Sequence, residues 1–190
     1  MSVTVGALLV LLWVRLTGKP WREIGYVRPH SWIGGLALGL VFGAAFKLVM
    51  KAAVMPLFGA EPINQAYHYL AGNTAMLPAA VLMMLAAGFG EETVFRGFLF
   101  ERLGKLFGSG PAAKAAIVVV TTAGFAALHY ADQGVAGVEQ ASITGLVFGT
   151  TYALTGRLYT LMIAHAAFDL TALAFIYLGL EPAVAHLIFK

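Results

Sequence analysis

The chain has 190 residues, of which 60% are hydrophobic and only 11% charged, with a net charge of +3 and no cysteine. A soluble domain carries about 25% charged residues, so a water-soluble fold of this length is excluded and the bilayer is the natural solvent. The missing cysteines exclude a disulfide framework, thiolate metal sites and a cysteine nucleophile. The modest positive charge suits loop topology and anionic lipid headgroups, not nucleic acid.

The length fits one integral membrane domain, 1–190. Val3 to Val14 is apolar and short, with Arg15 after it. A secretory signal carries its charge before the apolar run, so this segment reads as a short first membrane helix. Ser31 to Phe58 is long enough to span, since spanning takes roughly 20 apolar residues. Lys47 and Lys51 lie in its far half, where they are expected to snorkel to the interface. Gly34, Gly35, Gly39 and Gly43 give it a small-residue face for close packing. Glu61 to Asn73 is a polar connection. Ala75 to about Phe107 is helical and apolar as far as Gly90. Gly108-Ser109-Gly110-Pro111 is a turn. Ala112 to Tyr130 and Val138 to Leu154 are helices separated by a loop over Ala131 to Gly137. Thr155-Gly156-Arg157 is a tight turn, and Leu158 to Leu180 is the last long helix. The expected fold is all-α, a multi-pass bundle of about six membrane helices. Arg15, Lys19, Arg22 and Arg28 mark a cytoplasmic loop by the positive-inside rule, and counting spans puts Arg102, Lys105 and Lys114 on the same side.

Three groups of ionisable residues interrupt the apolar helices. Glu91 and Glu92 end a long apolar run, and Arg96 follows. Glu92 and Arg96, four apart, share a helix face and can pair. Glu91 points about 100° away, with no local partner, and is the type of group that serves as a general base. His129 closes Phe125-Ala126-Ala127-Leu128-His129, with Phe125 one turn back on its face. Glu91 lies about 17 residues before the Gly108–Pro111 turn and His129 about 20 after it, so both climb roughly 26 to 31 Å and arrive at similar depth. His165 and Asp169 share one face of the last long helix and should face the bundle interior. For each group a plain alternative stands: interfacial capping for Glu91 and Glu92, an interfacial ring for His129, a packing pair for His165 and Asp169. His30, His68 and His186 read as exposed, and Asp132 as solvated or as a partner of His129. Ser142, Thr144, Thr150 and Thr151 read as local helix-backbone donors. There is no Gly-x-Ser-x-Gly, no His-Glu-x-x-His, and no phosphate or dinucleotide loop.

The ordered set Glu91-Glu92-x-x-x-Arg96, Phe125-x-x-x-His129 and His165-x-x-x-Asp169, spanning about 88–170, resembles the motifs of the CAAX protease and bacteriocin-processing (CPBP, or Abi) membrane proteins. These are similar to the type II CAAX prenyl endopeptidase. The resemblance implies an intramembrane endopeptidase in the cell membrane, surrounded by lipid and acting on a membrane-associated or prenylated protein or peptide. It implies that Glu91 and His129 activate water and that His165 and Asp169 stabilise the oxyanion. Glu92, Arg96 and Phe125 then support. The eukaryotic relative has asparagine where this chain has Asp169, and an ionised aspartate repels an oxyanion. Asp169 must therefore be protonated, orient His165, or act otherwise. No cofactor is expected, although Glu91, His129 and His165 with an open position are also a zinc-type set. Two other readings compete: a non-catalytic bacteriocin-immunity or scaffold protein of the same fold, and a proton-coupled transporter built on the same relay-type residues.

Overall fold

The computed structural model describes residues 2–189. Among these the regular structure is entirely helical. The first helix, α1 (Ser2–Thr17), is short and apolar. Four helices are long and apolar enough to cross a membrane: α2 (Trp32–Leu57), α3 (Leu77–Phe107), α4 (Pro111–Thr155) and α5 (Tyr159–Tyr177). A last short helix, α6 (Glu181–Ala185), follows. Leu8, Leu38, Val41, Leu82, Val119 and Leu128 are each more than half exposed. So large an apolar surface is unfavourable in water and fits lipid.

The expected loop over Ala131 to Gly137 is not a loop. Helical structure runs through it and breaks at one residue, Gly134, with φ 61 and ψ −152. Only glycine adopts that conformation without strain. The chain nevertheless reverses there. Lys114 Nζ donates to the Ala153 carbonyl at 2.9 Å. Val118 packs against Gly149, and Thr122 against Gly145. These three pairs are all centred on the Gln133–Gly134 peptide, as in an antiparallel hairpin. So α4 consists of two arms, 111–133 and 135–155. Among the described residues, α1, α2, α3, the two arms of α4 and α5 make six apolar helical segments, in line with the expected count of about six.

The expected glycine face of α2 packs on α5. A Cβ on Gly43 would strike the Ala164 carbonyl oxygen and lie 2.8 Å from the Ala167 Cβ; one on Gly39 would lie 2.7 Å from Ile163. Between helices in lipid, where the hydrophobic effect gives no attraction, such close backbone approach is a main source of association. The two lysines depart from expectation. Neither snorkels: Lys47 is buried and donates to Gln140 Oε1 at 2.7 Å, and Lys51 pairs with Glu181 at 2.9 Å. The reason is the stripe they continue. Gly39, Gly43 and Lys47 recur every four residues, so Lys47 faces the bundle.

A cluster of basic residues marks one end of the bundle. Lys105 Nζ lies 3.6 Å from Glu23 Oε2 and Lys19 Nζ 3.8 Å from the same atom. Arg102 sits over the Trp13 ring at 4.7 Å. The end of α2, the reversal at Gly134 and the end of α5 lie at the opposite end. Thr144 and Thr151 bond to the carbonyls one turn back, as expected of hydroxyls on apolar helices.

Gly43→Val is expected to lower stability by at least about 1–3 kcal/mol, because the clash is with backbone that cannot yield. Gly104→Ala, with open space around it, is expected to stabilise by up to about 1 kcal/mol. Thermal unfolding of the purified protein in detergent compares the two. Equal effects would contradict the packing described.

Candidate active site

Gly88 sets the distance between α3 and α5. A Cβ there would lie 2.7 Å from the Ala166 backbone nitrogen, so only a hydrogen side chain allows the helices this close. One turn further along α3 come Glu91 and Glu92, opposite His165. Here α3 changes winding. Glu92–Leu99 is π-helical, a rare form that is frequent at functional sites. Thr93 holds the transition: its hydroxyl donates to the Phe89 carbonyl at 2.7 Å and therefore accepts from Tyr26 at 2.8 Å.

Glu92 is fully buried. Its Oε1 accepts from Arg96 Nη1 at 2.9 Å and from His165 Nδ1 at 2.8 Å. Among the described residues Oε2 has no hydrogen-bond partner. Arg96 is 1% exposed. Its second amino group donates to the Gly145 carbonyl at 3.4 Å. The guanidinium also lies 4.7 Å from the Phe125 ring centre and 6.0 Å from that of Phe148. A buried charge is tolerated when it is paired and hydrogen-bonded in this way.

With Nδ1 committed to Glu92, the other nitrogen of His165 faces Glu91 and Asp169. Nε2 lies 3.5 Å from Glu91 Oε2 and 3.7 Å from Asp169 Oδ2. Both separations exceed a direct hydrogen bond and are short enough for one oxygen atom to bridge them. The two carboxylates retain some access, at 15% and 21% of the side chain.

His129 stands beside this group, not in it. Among the described residues it forms no ion pair within 4.0 Å. Its Nδ1 is 2.9 Å from the Phe125 carbonyl. A carbonyl only accepts, so Nδ1 carries the proton and Nε2 of the neutral ring is an acceptor. Phe125 is the link: its ring centre is 4.6 Å from His129 and 6.2 Å from His165. Glu91 and His129, expected at similar depth, are not paired: His129 meets the cluster through Phe125, beside His165. Asp132 is exposed near the reversal. His30 contacts Arg157 at 3.1 Å, and His186 caps its own turn.

The alternative zinc-type trio of Glu91, His129 and His165 does not converge. Among the described residues no three His, Asp or Glu side chains are arranged to hold a metal ion. His165 has spent Nδ1 on Glu92, and His129 stands off.

Three contributors were not legible from motif spacing: the Gly145 carbonyl, Phe148 against His165 at 5.3 Å, and the buried Lys47. For Lys47 a signal existed in the Gly39-Gly43-Lys47 stripe.

No curated protein and no solved structure gives a significant match to this chain. A family model described as type II CAAX prenyl endopeptidase Rce1-like matches residues 73–171, which begins just before α3 and ends two residues past Asp169. That stretch covers just over half of the chain and carries every motif residue described above, and the chain belongs to this Rce1-like family of CAAX-type membrane proteases.

Proposed function

We propose that the protein is an intramembrane endopeptidase of the cell membrane that hydrolyses a peptide bond of a membrane-associated or prenylated substrate. The observation that carries this reading is the His165 Nε2 edge, flanked by Glu91 and Asp169 at 3.5 and 3.7 Å inside an apolar bundle.

Amide hydrolysis needs a base, a donor for the developing oxyanion and a proton for the leaving amine. In this reading a water bound between Glu91, His165 and Asp169 attacks the scissile carbonyl carbon. Glu91 takes its proton. The carbonyl oxygen becomes an oxyanion, to which His165 donates from Nε2. Because Nδ1–H is already given to Glu92, that donation requires the imidazolium form. Asp169 orients the ring from the other side. As the C–N bond breaks, the amine takes the proton held by Glu91, with the free Nε2 of His129 relaying protons between solvent and the site. Glu92 and Arg96 position His165, and Phe125 supports the two rings. No step requires a metal.

Glu91→Gln and His165→Ala are expected to lower kcat on a membrane-anchored or farnesylated test peptide by at least about 100-fold, the range of general acid–base loss, with unfolding midpoints close to the starting protein for Glu91→Gln. Full turnover by Glu91→Gln would sink the reading. Incubation with a strong chelator is expected to leave the rate unchanged; loss of activity restored by zinc would contradict it.

Arg96→Met leaves the Glu92 charge buried without its cation. It is expected to destabilise by about 3–5 kcal/mol, the typical cost of stripping one member from a buried pair. Adding Glu92→Gln should recover part of that loss. Both effects are read by thermal unfolding, and a neutral Arg96→Met would contradict the bracing role.

A further inference from the structure

A cavity of about 580 Å³ lies at the end of the bundle opposite the basic cluster. The mechanism above does not use it. Its walls come from the second half of α2, the connection after it, the reversal of α4 and the last turns of α5. Ala172 and Ile176 line it, and Asp169 continues the same face of α5 one turn deeper.

Two lysines reach this cavity, and they differ. Lys51 is neutralised: Glu181 Oε1 accepts from it at 2.9 Å and from the Asn64 backbone N–H at 3.1 Å. Lys47 is not. It is 6% exposed, and among the described residues no carboxylate lies within 4.0 Å of its ammonium. Three N–H donors meet one side-chain acceptor, Gln140 at 2.7 Å, and the face of Phe168 at 4.8 Å. A charged group held at membrane depth without a counter-ion is a mark of a substrate path. The other carboxylates of the cavity, Glu61 and Asp132, are exposed at its rim.

We propose that this cavity is a substrate subsite that receives a carboxylate, and that Lys47 with Gln140 binds it. The inference rests on the peptidase reading for its occupant, a peptide. One uncompensated positive charge matches one carboxylate. A carboxylate oxygen accepts from Lys47 while the other accepts from the Gln140 amide nitrogen, whose oxygen Lys47 already occupies. A phosphate, with nearly two charges, would be under-neutralised beside Glu61, Asp132 and Glu181. The carboxylate can be the substrate's C-terminus or an acidic side chain close to the cleaved bond.

The test is binding without turnover. Full-length protein carrying Glu91→Gln, in detergent micelles, is titrated into three dye-labelled farnesylated peptides of one apolar sequence, followed by fluorescence anisotropy. The first has a free C-terminal carboxylate, the second a C-terminal amide, and the third the amide with one glutamate among its last three residues. At least one carboxylate-bearing peptide is expected to bind about 10-fold or more tighter than the plain amide, as for loss of a charged hydrogen bond. Preference for the first assigns the C-terminus, and preference for the third assigns the side chain. Lys47→Gln should abolish the preference, while Lys47→Arg should retain it. Equal binding of all three peptides, no binding of any, or a preference that survives Lys47→Gln overturns the proposal. If Lys47→Gln fails to fold, Gln140→Leu replaces it and should weaken the preference. A carboxylate preference in a protein that hydrolyses nothing would count against the peptidase reading alone. Hydrolysis without a preference would count against the subsite alone.

Discussion

His165 is held by its Nδ1 atom. The 2.8 Å bond to Glu92, itself bonded to Arg96 at 2.9 Å, joins the middle of α5 to the winding change of α3. It also ties in α4 through the Gly145 carbonyl. Every other feature of the site follows from this bridge. It fixes the plane of the ring, commits one nitrogen, and leaves the other nitrogen at the edge where Glu91 and Asp169 meet. Removing water from a charged pair is expensive, and such a pair gains little over apolar packing. Its presence in the middle of a largely apolar bundle therefore points to a role in positioning.

The surrounding helices are shaped to allow it. Gly88 lets α3 approach α5, and the π-helical stretch beginning at Glu92 widens the next turns. The Gly145 position does two things. Its lack of a side chain lets the Thr122 side chain pack at the same level, and its carbonyl is free to face Arg96. Phe125 and Phe148 close the group against the apolar surroundings. The cavity with Lys47 then lies one turn along α5 from Asp169, at the end away from the basic cluster.

Much of this was legible in the sequence because apolar helices make ionisable residues conspicuous. The helix count, the glycine face of α2, the Glu92–Arg96 pair and the shared face of His165 and Asp169 all follow from spacing alone. Spacing within a helix says nothing of which nitrogen a ring offers to a neighbouring helix, so the sequence could not reveal that His165 serves Glu92 on one side and Glu91 on the other. It paired Glu91 with His129 by depth. In the structure the Phe125 ring lies near His129 and His165, and among the described residues no ion pair joins His129 to Glu91. The reversal at Gly134 was readable as a break but not as one residue, because Asp132, Gln133 and Gly134 look like a loop by composition. Lys47 and Lys51 were read by their length and position near a helix end. The four-residue stripe from Gly39 outweighs that argument, because it fixes which side of α2 faces the protein.

The central claim is that Glu91, ordered through His165, activates a water molecule that enters the product directly. Single-turnover hydrolysis of a farnesylated peptide in ¹⁸O-water, followed by mass spectrometry of product and protein, tests it most directly. The account predicts one solvent oxygen in the new C-terminal carboxylate after the first turnover and none in Glu91. Label in Glu91, with unlabelled product in that first turnover, would mean covalent attack by the carboxylate and would contradict it.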